Sequence, residues 1–255
     1  MTKAAIPLIG LAFLLLSSCT RVLDPFPSED PDLSRPYAIA ASEAAAASRL
    51  TVKIDAAYEA YDSLLYAMGL TYMLVNDVDT PNYAYYADIK AYFTKYRSDP
   101  LVDRAKRLMG RLPVDMAPCV IAMLDGQMAI KVDYSFPDAL KGYMDERSLG
   151  FFVEILRDYC ALTDFNSFYE AHRSFYKTVL RAYREGIAGR DMLADAESYV
   201  GLKKGAYEFI LEPMQRGGNF SGMPVFFDES ALVTIYHEMA HSLCNALVDK
   251  HWSDF

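Results

Sequence analysis

The chain carries no stripe of lysine or arginine and no surplus of either, with 25 basic residues against 34 acidic ones and a net charge of −9. Binding to a nucleic-acid backbone draws on the opposite balance, so that class of partner is excluded. Cysteine is scarce, at four in 255 residues, and histidine equally so. No internal repeat runs through the sequence, which leaves out a repeat array. What is abundant is apolar: 53% hydrophobic residues suffice for one sizeable core and are far from a disordered composition. Nineteen tyrosines and fourteen phenylalanines suit a tightly packed helical body without pointing to a chemistry.

The front end reads as a targeting segment. Lys3 supplies a short positive start, and Ala4 to Leu16 is apolar but too short for a confident spanning helix. Leu16-Ser17-Ser18-Cys19 then resembles a bacterial lipobox. The resemblance implies a signal peptide over residues 1–18, cleavage before Cys19, and acyl chains on that cysteine that anchor the protein to a membrane. An ordinary secretory signal is the alternative. Both readings put the mature protein outside the cytoplasm; the lipidated one attaches it to the cell envelope, at the outer membrane. Residues 19–48 read as a lipidated tether, since Asp24-Pro25-Phe26-Pro27 and Asp30 to Asp32 lack periodicity and Ala40 to Ser48 is alanine-rich, a loose helix at most. The folded domain is expected over 49–255. Cys119, Cys160 and Cys244 remain, an odd number in apolar helical settings; they read as core residues, with a Cys119–Cys160 bridge left open.

Leu50 to Ile54 alternates and is β-branched, the pattern of a strand. Helices are expected over Ala56–Met68, Tyr83–Tyr96, Leu101–Met109 and Val114–Leu124, with a short strand over Ala129–Tyr134. Leu149–Leu162 and Phe165–Ile187 are amphipathic helices. The second has Phe168, Phe175, Tyr176, Val179, Leu180 and Tyr183 on its core stripe and His172 among surface positions. Ala206–Pro213 reads as a strand, Gln215–Gly222 as a glycine-rich turn and Met223–Phe227 as a second short strand. The fold class is α+β, predominantly helical.

A helix from about Ser230 to Leu247 carries the chemistry, because it contains His237-Glu238-Met239-Ala240-His241. Histidines at i and i+4 share a helix face and can close on one metal ion. Glu238 stands about 100° round from the first and is free to act on water as a general base. The helix is apolar nearly all round, and Asp228 and Ser230 are capping types before it. Three ionisable groups in such a helix need a partner, and a metal ion supplies one. Gly217, Gly218 and Asn219 precede it as a candidate substrate-binding segment, where a strand edge can pair with an extended peptide, or as a plain turn.

With Ser242, Leu243 and Asn245 added, the motif resembles the extended HExxHSxxxN form of a bacterial lipoprotein family, a domain-of-unknown-function family grouped with gluzincin-like metallopeptidases. A looser likeness covers Tyr92–Lys106, Phe168–Phe175 and Gly217-Gly218-Asn219, so it spans roughly Val52 to the end. The resemblance implies a zincin-like fold with the small sheet next to the HExxH helix. It also implies a Zn²⁺ site with His237 and His241 as ligands and Glu238 as general base. Asn245 either supports that site from behind or caps the helix. One feature departs from the pattern: a gluzincin takes its third ligand from a later glutamate, and none follows His241. The metzincin form fails too, with Cys244 and Leu247 where glycine and histidine belong. Asp249, His251 and Asp254 follow the same helix too closely to turn back on it. A C-terminally incomplete domain that holds metal weakly is therefore expected. The function expected is a membrane-anchored extracytoplasmic zinc metallopeptidase acting on peptide or protein substrates. The alternative is an inactive envelope lipoprotein that binds a peptide or glycan on the same fold.

Overall fold

Leu50, Val52 and Ile54 alternate inward along one strand, and that strand is the centre of a three-stranded sheet. The computed structural model describes residues 29–47, 49–70, 84–109, 117–131, 136, 141–203, 205–214 and 239. Strand β1 (Glu43–Ala47) pairs antiparallel with β2 (Leu50–Ile54), from Glu43 opposite Ile54 to Ala47 opposite Leu50. Strand β3 (Tyr207–Ile210) lies parallel on the other side of β2, from Leu50 opposite Tyr207 to Lys53 opposite Ile210. Parallel neighbours require a long crossover. Here the helical body lies between them in the chain: α1 (Ala56–Met68), α2 (Ala84–Phe93) with a 3₁₀ turn at Thr94–Tyr96, α3 (Pro100–Met109), α4 (Ala117–Ala122), α5 (Glu146–Thr163), α6 (Phe165–Ala171), α7 (Arg173–Ile187) and α8 (Met192–Val200). The protein is α+β and mostly helical, as its periodicities predict.

Local chemistry sets the limits of these helices. The Asp55 side chain accepts from the Ala57 N–H at 3.0 Å and starts α1, and Gly69 ends it at φ 76°. Asp145 does the same for α5 through the Ser148 N–H at 2.7 Å. All thirteen residues of α1 are buried, so the helix has no solvent face and its polar residues must find partners inside. The sheet lies against α7, and α5 packs on α3 and α1.

The compact unit begins at Pro31, and the stretch read as part of a tether packs on it from there. Tyr37 and Ile39 donate backbone N–H groups to Gln127 and Gly126, and Asn166 bonds both Ala38 and Ala40. A Cβ on Gly150 would come within 2.6 Å of Pro31 Cγ, so this crossing needs glycine. Four further differences stand out. The alanine-rich segment is strand β1 rather than a loose helix. Phe165–Ile187 is two helices broken at His172. Of the strand expected over Ala129–Tyr134, the described part holds a single antiparallel bridge, Leu124 to Ile130, and residues 132–134 lie outside the described residues. Helix α8, between an Asp191 cap and Gly201 at φ 78°, has no counterpart in the sequence reading. Cys160 is a buried free thiol, as its apolar setting suggested.

Candidate functional site

His237, Glu238 and His241 lie outside the described residues, as do Gly217, Gly218, Asn219, Asn245 and Cys19. One residue of the motif is described. Met239 is α-helical, wholly buried and part of the main hydrophobic core. Among the described residues, no group of three or more histidines, cysteines or acids could hold a metal ion.

Within the described body, the chemistry gathers where α1, α2 and α7 meet. Glu59 on α1 is 1% exposed. Its Oε2 accepts from the Tyr85 hydroxyl of α2, and that hydroxyl lies 2.8 Å from the Tyr176 hydroxyl of α7. A phenol has one proton. Since Tyr85 gives its own to Glu59, Tyr176 must donate to Tyr85, and the two form a relay that ends on the carboxyl group. Burial raises Glu59 to about 8; the Tyr85 bond opposes this, and Glu212 and Asp55 add to it. Glu212, two residues past β3, is itself 1% exposed. Burial pushes the Tyr85 hydroxyl well above its ordinary range, with Glu59 next in effect. The Tyr85 ring is stacked on Phe175 at 4.7 Å and edge-on to Tyr176 at 5.7 Å.

His172 stands beside this cluster, 5.1 Å from the Tyr85 ring. It is not the surface histidine that its polar neighbours suggested: its side chain is 15% exposed and both ring nitrogens are engaged. Nδ1 lies 2.8 Å from the Phe168 carbonyl and Nε2 3.2 Å from Asp88 Oδ2. Both partners offer oxygen acceptors, and which ring nitrogen donates depends on the tautomer.

The sequence reading missed this constellation. Its signal was present, however, in the form used for the motif helix: Glu59, Asp62 and Ser63 interrupt a helix that is otherwise aromatic and aliphatic. No family model, no curated protein and no solved structure matches the chain.

Proposed function

We propose that the chain is a zinc-dependent metallopeptidase of zincin-like fold, anchored through Cys19 to the outside of a bacterial envelope. The observation that supports this reading is Met239, helical and wholly buried at the centre of His237-Glu238-Met239-Ala240-His241. Positions two away on either side of a helical residue lie roughly 160° round from it. In an unbroken helix, residues four apart share a face, so His237 and His241 would stand together, away from Met239. Two imidazoles one turn apart are a donor set that fits zinc, and a third ligand remains to be supplied from elsewhere. Zinc held there would supply a Lewis acid and water of lowered pKa. Glu238 takes the proton of the attacking water on a carboxylate oxygen and passes it to the leaving amine nitrogen. Gly217, Gly218 and Asn219 would lie along the substrate backbone.

Zinc titration of the full chain, with peptide hydrolysis measured on the same samples, tests the proposal. The wild type and Glu238→Gln are expected to bind zinc equally, and His237→Ala to lose it. Hydrolysis should fall by at least about a hundredfold in Glu238→Gln. Zinc binding indifferent to His237→Ala would end the metal reading. Metal binding with no hydrolysis in any variant would leave the binding lipoprotein.

A further inference from the structure

A wholly buried carboxyl group is paired with a cation, surrounded by donors, or neutral. The described residues give Glu59 one donor, the Tyr85 hydroxyl on Oε2, while its buried Oε1 has no hydrogen-bond partner among them. Among the described residues, the groups that face it are acids and phenols: Asp55 at the cap of its own helix, Tyr85 on α2, Tyr169 on α6, Tyr176 on α7 and Glu212 beyond β3. The Lys53 ammonium on β2 is taken up by Asp55, 3.2 Å from its Oδ2. His172 packs edge-on to the Tyr85 ring, with Nε2 3.2 Å from Asp88 Oδ2. One hydrogen bond returns only part of what desolvating a carboxylate costs, and that cost rises further beside other acids. The neutral form wins that balance.

We propose that Glu59 is held as a neutral carboxylic acid and that its proton keeps the junction of α1, α2 and α7 closed, so that losing it opens the junction to water. Ionised, the group would be a buried charge among other acids, and the cheapest relief is to part the helices that cover it. The junction is then a joint that acid closes and alkali loosens. Burial pushing the group up to about 8 agrees with this direction. The inference does not depend on the metallopeptidase reading.

Infrared spectroscopy of the full chain tests it, because a protonated carboxylic acid has a carbonyl stretch apart from the carboxylate bands. At neutral pH the wild type should show one such band that Glu59→Gln lacks. Raising the pH through about 8 should remove the band and, with it, the near-ultraviolet dichroism of the packed tyrosines. Glu59→Gln should keep that dichroism over the same range, and His172→Gln should keep the wild-type transition. Tyr85→Phe serves if Glu59→Gln does not fold: it removes the bond that favours the ionised form, so the midpoint should move to higher pH. No difference in the band between wild type and Glu59→Gln, or a band that disappears near pH 4.5, would overturn the proposal. So would a midpoint in Tyr85→Phe that stays put or falls.

Discussion

Glu59 and Glu197 are both buried acids, at 1% and 3% exposure, and their partners divide them. Glu197 meets the Arg49 guanidinium through two bonds of 2.8 and 2.7 Å, an arrangement that suits a carboxylate. Glu59 meets a phenol and other acids. The sign of its contribution to stability follows. Its folded value, about 8, lies above its ordinary 4.5, so the folded state binds the proton more tightly. The stability it gives is fully present below about pH 4.5 and is lost as pH rises through about 8. At Gly150 the constraint is steric rather than electrostatic. Gly150→Ala would set a Cβ 2.6 Å from the Pro31 ring, which cannot swing aside without moving its segment. Thermal unfolding should report a loss of about 1–3 kcal/mol, the usual cost of overpacking.

Elements with strong local signals were legible. Ala56–Met68 was expected as a helix from its apolar spacing, and the structure has the same limits, set by an Asp55 cap and Gly69. The break in Phe165–Ile187 was hidden by a continuous apolar stripe. It arises because the His172 ring takes the Phe168 carbonyl, which the helix would offer to the His172 N–H, and that N–H turns to Tyr169 instead. Strand β1 was hidden by composition. A run of alanines favours a helix, but the ladder to β2 and the Arg173–Glu43 pair decide otherwise. The cap of α5 gives a direct check at this scale. Asp145→Ala removes the acceptor for the Ser148 N–H, and burial of that serine keeps water from replacing it. Urea unfolding should show a loss of about 1 kcal/mol.

At the scale of the whole molecule, the sheet joins distant parts of the chain. β1 precedes the helical body and β3 follows it, yet both flank β2. A chain begun at Arg49 would lose β1, expose one edge of β2 and strip the Asp32–Ala40 contacts from α5 and α6. A chain begun at Pro31 would keep them. The first should melt well below the second in calorimetry, with a smaller unfolding enthalpy. Equal melting temperatures would mean that this segment adds nothing to the fold.

The amino-acid order by itself determined the helical character of the body, the β2 strand, the limits of α1 and the four-residue spacing of His237 and His241. Each is written within a few residues, as periodicity or spacing. Tertiary structure alone decided that an alanine run becomes a strand, that β3 lies parallel to β2, and that Glu59 is enclosed by Tyr85 and Tyr176, which are 91 residues apart from each other. Periodicity records which face of a segment avoids water, but the segment that covers that face is chosen by packing across the whole chain.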